Sequence, residues 1–424
     1  MISLSEFKHS PKLKKKQGRS NMSYTAEDVL EYVAEEDVKF IRLAFLDVNG
    51  IHRNLSILPA ELKKAFNFGI PIDATAIDVF HKVTGSDLLL HPDPSTLSVL
   101  PWRPEHGRVV RMYCSLTYPD GRPFECDTRS LLKKAVSDAK ACGLEFTFGS
   151  EMEFYLFKLD DDGNKTFQPY DNASYLDIAP EDKGENIRRE ICLTLEQMDI
   201  IPLSSHHEIG PGQHAINFIH GDPITAADNA VTFKNVVETV AGRNGLWASF
   251  APKPLKDKAG SAFRVIMSAR DSKGEFPAEP IIGGLLDKIP EMMAFLNPID
   301  DSYRRLGTSR APLYISWSKD NRSQLIRFQN TDIANPKIIL RSPDPQANPY
   351  ITFALMIYAA LDGLKNNTKP MDPVSFDLQD ATSQEVSSLT KLPETISIAK
   401  NIMKNSFFIK DIVPEEIIRL YLEK

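Results

Sequence analysis

Glu151 and Glu153 flank a methionine in Glu145 to Lys158, a stretch with aromatics throughout that reads as a strand. Alternate strand residues share a face, so the two carboxylates stand side by side and repel unless a cation lies between them. Two readings are open: a hard divalent ion held by oxygen ligands, as phosphoryl chemistry often requires, or acids neutralised by arginine or solvent. His206, His207 and Glu208 run into Gly210-Pro211-Gly212-Gln213-His214, and His206 and Glu208 can share a face. Alone this is a weak metal signal, since histidines beside glycines are often loop residues. A third group is basic: Arg304, Arg305, Arg310, Arg322, Arg327 and Arg341 lie within 38 residues. Guanidinium forks match carboxylates and phosphates, so an anionic substrate or nucleotide is one reading and ordinary salt bridges are the other. The chain has no GxxxxGK[ST] loop, strand-linked GxGxxG or GxSxG elbow, so nucleotide binding by the first two routes and a serine nucleophile of the third kind are not supported.

The elements that must position these residues follow from periodicity. Val29, Leu30, Tyr32 and Val33 recur at helical spacing behind Thr25, a capping residue. Phe40 to Leu46 and Ile51 to Ile57 flank Asn49-Gly50, which favours a tight hairpin. Short runs at Thr96 to Leu100 and Val109 to Leu116, broken by Pro101, Pro104 and Gly107, complete a small mixed sheet ending near residue 125. Beyond it the pattern alternates: helices at Arg129 to Cys142, 184–198 and 225–243, strands at Glu145 to Lys158, 247–251 and 262–268, and an extended stretch at 205–219. Ile351 to Leu364 is apolar almost all round, which argues a buried helix. The fold class is α+β, with an extension at 1–21, a first domain at 22–125 and a second at 126–424.

Composition narrows the function classes. A chain of 424 residues with 42% hydrophobic and 25% charged residues is ordinary globular protein. A formal charge of -7 gives no reason to expect nucleic acid, whose backbone is held by clustered lysine and arginine. The most apolar stretch, Ile351 to Leu364, carries Thr352 and Asp362 and falls short of the roughly 20 residues a bilayer span needs. Lys8, Lys12, Lys14, Lys15, Lys16 and Arg19 precede no apolar core, so 1–21 reads as a disordered basic tail rather than a signal peptide. Cys114, Cys126, Cys142 and Cys192 are spaced 12, 16 and 50 apart, neither a zinc pattern nor a dense disulfide framework. The expected compartment is the reducing cytoplasm.

From Tyr24 to about residue 420 the chain resembles the type I glutamine synthetases. The resemblance is carried by Glu151-Met152-Glu153-Phe154, His206 to Phe218, Lys253-Pro254, Asn321-Arg322-Ser323, Arg341 to Pro345 and Ala347 to Tyr350, in the family's order. It implies a small N-terminal β-grasp domain, a large catalytic domain, and a homo-oligomer of stacked rings whose sites borrow residues from the neighbouring N-terminal domain. It also implies a reaction in which ATP phosphorylates glutamate and ammonia displaces the phosphate, with ATP and magnesium or manganese as cofactors.

Carried over residue by residue, the resemblance gives a split result. At the first metal Glu153 and Glu208 match, but the third carboxylate falls on Ala215. At the second metal Glu151 matches, but a histidine falls on Arg264 and a glutamate on Ile339. A second histidine falls on Ile266, a glutamate-binding asparagine on Ala259, and the loop glutamate that assists ammonia deprotonation on Arg310. The anion side survives: Gly260, Arg305 and Arg341 at substrate positions, Ser268, Arg322 and Arg327 at nucleotide positions, and Asp73 in the ammonium segment. Glu151, Glu153, Glu208, Arg264 and Arg310 sum to -1, about five units more positive than the family's set. That resembles the charge of the missing ions, and Arg264 is expected to extend into the second metal position and pair with Glu151.

The expectation is a family member with ordinary glutamine synthesis lost or strongly reduced, metal binding weakened, acting as an oligomeric binding or regulatory protein for an amino acid or nucleotide. Its rival is an active carboxylate-amine ligase using a reduced metal site on Glu153 and Glu208. A third reading inserts the chain into rings of an active glutamine synthetase.

Overall fold

Thr25 caps the first helix, α1 (Ala26–Glu35), through a capping box in which its hydroxyl accepts from Asp28 N and Asp28 accepts from Thr25 N at 2.9 Å. The computed structural model describes residues 24–103, 106–330 and 336–424. The tail expected at 1–21 lies outside the described residues.

The hairpin read around Asn49-Gly50 forms between β1 (Val38–Leu46) and β2 (His52–Ile57), which pair antiparallel. Gly50 sits at φ +80°, the left-handed region glycine enters without steric cost, and the Asp47 carboxylate accepts from Asn49 N and Ile51 N, both at 3.0 Å. After α2 (Leu62–Phe68) come β3 (Ile70–Ile72), α3 (Asp78–His81), β4 (Leu88–Pro92), β5 (Ser98–Val99) and β6 (Arg108–Thr117). They build a six-stranded sheet ordered β2-β1-β6-β4-β3, with β5 also on β6 and β1 parallel to β6. Thr96 to Leu100 yields only the two-residue β5, because Asp93 and Pro94 start a 3-10 turn at its head.

The second sheet is built on β7 (Leu144–Leu159), which follows α4 (Thr128–Ala141). β8 (Lys165–Pro169), α5 (Glu185–Gln197), β9 (Pro202–His207), β10 (Gln213–Phe218), α6 (Pro223–Arg243), β11 (Leu246–Ser249) and β12 (Phe263–Asp271) follow. The stretch 205–219 is therefore a hairpin, with Gly210 to Gly212 in the connection between β9 and β10. Then come α7 (Ala278–Leu296), α8 (Asp300–Arg305), β13 (Trp317–Ser318), β14 (Ile326–Gln329), β15 (Lys337–Leu340), α9 (Pro349–Asn366), α10 (Ile396–Asn405), α11 (Phe407–Ile412) and α12 (Glu415–Glu423). The sheet runs β13-β14-β15-β12-β7-β10-β9, with β8 and β11 also on β7.

Alternation assigns the two faces. Phe148, Met152 and Phe154 of β7 and Phe263, Val265 and Met267 of β12 are buried toward the helices, where Phe353 of α9 stacks on Phe148 at 4.4 Å. Each such aromatic contributes about 1.5–3 kcal/mol by leaving water. Their neighbours in sequence, Glu151, Glu153, Arg264, Ile266 and Ser268, take the opposite face.

α7 has no counterpart in the sequence reading because Pro280, Gly283, Gly284 and Pro290 punctuate it. Pro280 lies in the first turn, where a missing N–H costs little. A side chain at Gly284 would collide with the Ala359 carbonyl and Gly363 of α9, so this glycine permits close helix contact. The two sheets are tied by Arg129, which donates to Asp228 at 3.0 and 2.9 Å and to Asp93 at 3.0 Å. Asn348, the cap of α9, also donates to the Asp47 carbonyl at 3.2 Å.

Candidate active site

Strand register brings Glu151 and Glu153 onto one surface with the positions where the resemblance implies further ligands. Arg264 lies opposite Glu151 across β12 and β7, Ala215 opposite Glu153 across β10 and β7, and Ile266 opposite Ile339 across β12 and β15. Arg327 lies opposite Ile339 on β14, and Ala215 opposite His206 on β9. Adjacent cross-strand lines of one face thus carry Ile339 and Ile266, Arg264 and Glu151, and Glu153 with Ala215 and His206.

Arg264 occupies the middle. Its guanidinium donates through one terminal nitrogen to Glu151 and through the other to Glu153, with Glu208 at 3.6 Å. The pairing expected with Glu151 thus forms and extends to two further carboxylates. Burial, and then the Glu208 carboxylate, push the Glu153 carboxyl up; the Ala262 N–H at 2.8 Å and the charges of Arg305 and Arg341 act against them. Arg264, whose guanidinium keeps its proton in a protein, lies in direct contact with this carboxyl.

The supporting layer behind Glu208 is a network the sequence did not single out. His207 points to the other side of β9, with Nδ1 at 2.7 Å from the Glu208 carbonyl and Nε2 at 3.0 Å from Asp171. Both neighbours are acceptors, so the ring carries both protons. Burial opposes that charge, but the hydrogen bonds to Asp171 and Glu208 raise the His207 pKa. Beside it, Arg188 donates to His214 Nδ1 at 2.9 Å, which leaves the His214 proton on Nε2. Asp171, His207 and His214 cluster closely enough for a metal, yet neither ring offers a free lone pair, and the cluster instead fixes the backbone of Glu208. His206 does share the site face, with Nε2 at 3.2 Å from Glu208.

The anion side is closed. Arg305 is buried and donates to the carbonyls of Ser342 and Pro343, the latter at 3.2 Å. A side chain at Gly260 would collide with the Pro252 carbonyl and the Arg305 stem. Arg341 donates to the Arg310 carbonyl at 3.2 Å, and its Nε has no partner. The Arg310 guanidinium stacks 5.0 Å from the Tyr175 ring. Between Ala259, the loop at 307–311, Arg305 and Arg341 remains a cavity of about 30 Å³, room for one or two waters. Ser268 donates to the Pro336 carbonyl at 2.8 Å, Arg322 is exposed, and burial lowers the Arg327 pKa. Asp73 is not brought to this cluster: it caps a 3-10 turn, accepting from Thr75 N and Oγ1 at 2.9 and 2.5 Å.

Residues 37–119 match the glutamine synthetase β-grasp domain and residues 125–424 the glutamine synthetase catalytic domain. The chain belongs to the glutamine synthetase family. It is 43% identical to the glutamine synthetase of Methanosarcina mazei over 414 residues, covering 94% of this chain and 92% of that protein. It is 40% identical to the glutamine synthetase of Clostridium saccharobutylicum, covering 94% of both. In fold it resembles the Plasmodium falciparum glutamine synthetase, with a TM-score of 0.82, 20% identity and 96% of each chain covered. Membership supports the family reaction, the ligation of glutamate and ammonia with ATP, and family use of divalent metal.

Within this glutamine synthetase fold, Glu151, Glu153 and Glu208 bring ligand oxygens within 4.8 Å of one another, a hard donor set suited to one divalent ion. Nearby on the same face, Arg264 and Ile339 offer a guanidinium and an alkyl chain rather than a further oxygen or imidazole donor. No described helix is long and apolar enough to cross a membrane.

Proposed function

We propose that this glutamine synthetase homologue has lost ordinary glutamine synthesis, or retains little of it, and acts as an oligomeric protein binding a small acid or nucleotide. The observation that carries this reading is the guanidinium of Arg264 among Glu151, Glu153 and Glu208. It supplies one fixed positive charge where the family reaction uses metal ions, and a guanidinium cannot coordinate a phosphate oxygen as a metal does. Arg310 adds a second cation at the loop position assigned to a base, and an arginine cannot deprotonate ammonia near neutral pH.

On this reading Arg305, Arg341 and Gly260 receive a carboxylate, and Arg322, Arg327 and Ser268 face a nucleotide. Asp73, exposed in the first domain, serves a neighbouring subunit in a stacked-ring homo-oligomer. Insertion into rings of an active glutamine synthetase is a variant of the same proposal, and co-purification tests it. The domain division at residue 125 and a cytoplasmic location belong to the proposal as well; four free cysteines support the latter.

The test is turnover by the purified protein with magnesium or manganese, ATP, glutamate and ammonia, reading phosphate and glutamine. The expected result is no glutamine above background, and a rate of about 1 s⁻¹ or more, ordinary for an enzyme, overturns the proposal. A second reading, a carboxylate-amine ligase with a reduced metal site, is favoured by the three convergent carboxylates. The same assay with primary amines in place of ammonia decides for or against it.

A further inference from the structure

Away from this site, the face of the first sheet turned toward α6 carries two arginines that form no ion pair among the described residues. Arg42 and Arg111 are register partners in the parallel pair β1 and β6, so their side chains leave the same face side by side. Like charges in that position destabilise a sheet. Arg111 is buried, and one terminal nitrogen donates to Tyr113 Oη at 2.9 Å and Thr232 Oγ1 at 2.6 Å. Its Nε has no partner, and its second terminal nitrogen makes no hydrogen bond among the described residues. Neither arginine forms an ion pair there, although Arg129, close by in the fold, is paired twice.

Across the gap stands Lys234 of α6. It donates to the Pro345 carbonyl at 2.8 Å, lies 5.3 Å from the Phe250 ring, and also forms no ion pair among the described residues. These groups line a cavity of about 540 Å³ between the two sheets, a size typical of small-molecule sites. Among its lining residues Glu238 is the one carboxylate, against Arg42, Arg111 and Lys234. His52, also on the lining, adds no charge near neutral pH, because burial and then the two arginines hold its pKa down at about 3.

A buried guanidinium cannot neutralise itself by losing its proton, and leaving it unpaired is costly. Water alone gives three converging cations nothing but dipoles. We infer that this cavity is a binding site for a small multivalent oxyanion, phosphate or polycarboxylate, held between Arg42 and Arg111 on the sheet and Lys234 on α6. Its occupant would bridge the first domain to the second, on the face of β7 opposite Glu151 and Glu153, because Met152 lines it. The inference is independent of whether the active site turns over.

The experiment titrates the full chain with inorganic phosphate and, separately, with citrate, at ionic strength held constant with chloride. Calorimetry and thermal melts are read together. The expected result is saturable binding of at least one probe and a melting temperature that rises with its concentration. Affinity should fall about tenfold or more in Arg111→Met and in Lys234→Gln, and stay unchanged in Arg122→Met, at an exposed arginine outside both cavities. Lys234 is half-buried on a helix, so its variant keeps the test alive if Arg111→Met fails to fold. Binding of phosphate but not citrate, or the reverse, identifies the source of the anion and supports the site. The inference is overturned if neither probe saturates, if Lys234→Gln binds as the unmodified protein does, or if Arg122→Met loses binding as much as Lys234→Gln does.

Discussion

Arg264 and Glu151 are direct cross-strand partners, and the guanidinium of the first closes on the carboxylate of the second while also reaching Glu153. The pair is built into the sheet, since the register of β7 and β12 determines which residues meet. A positive group on β12 at this position cannot avoid the two acids, and the acids cannot avoid each other. The charge at residue 264 therefore contributes to the stability of the sheet.

Arg264→Met removes that charge and leaves Glu151, Glu153 and Glu208 converging in a half-buried space. Breaking a buried pair from one side costs about 3–5 kcal/mol, so a clear loss should appear in denaturant or thermal unfolding. Millimolar magnesium should recover part of it in the variant while leaving the unmodified protein unchanged. Equal stability of the two proteins without metal would remove the role assigned to Arg264.

Restoring the family's donors tests the same site from the other side. Arg264→His and Ala215→Glu place ligands opposite Glu151 and Glu153, and Ile339→Glu adds one on β15, the strand beyond β12. Calorimetry should then show magnesium binding much tighter than in the unmodified chain. Tight binding of two magnesium ions by the unmodified protein would contradict the assignment of Ala215, Arg264 and Ile339 to ligand positions.

The loop at 307–312 is held by Arg310 stacked on Tyr175 and by its carbonyl on Arg341. An exposed cation–π contact contributes about 0.5–1 kcal/mol. Tyr175→Ala should accordingly speed amide exchange in this loop about two- to fivefold, with exchange in α9 unchanged. Identical loop exchange in the two proteins would show that Tyr175 does not hold it.

His52 gives a pH dependence of known sign. Its folded pKa, about 3, lies below the ordinary 6.5, so on acidification the unfolded chain takes up this proton first. Stability from this group is complete above about pH 6.5 and is lost as the pH falls toward 3. His52→Gln should flatten the decline between about pH 6 and pH 4 in melts across that range. An unaltered slope would mean that His52 does not contribute to acid sensitivity.

Much of this was legible before the structure. The Asn49-Gly50 hairpin and the buried helix around Ile351 to Leu364 follow from local rules, because turn chemistry and one-sided or all-round apolarity are written in neighbouring residues. The alternation of Glu151 and Glu153 was equally local. What they meet was not: that Arg264 falls opposite Glu151 depends on register between strands 113 residues apart. The His207 to Asp171 bond was hidden for the same reason. α7 was missed because Pro280, Gly283, Gly284 and Pro290 look like breakers until a second helix lies against the glycines. The Arg42 and Arg111 pair passed unnoticed because no spacing rule connects parallel strands so far apart.

The 30 Å³ cavity beside Arg305 and Arg341 has a kinetic consequence. On the proposed reading a carboxylate held by Arg305 and Arg341 needs more room than this cavity gives, so its capture would follow a displacement of the loop that carries Arg310. Its observed association rate should therefore level off at the opening rate as its concentration rises. Its apparent affinity is weaker than that of the open site by the fraction of time the loop is up. Tyr175, which lies outside the lining of that cavity, would then set part of the opening rate through its contact with Arg310.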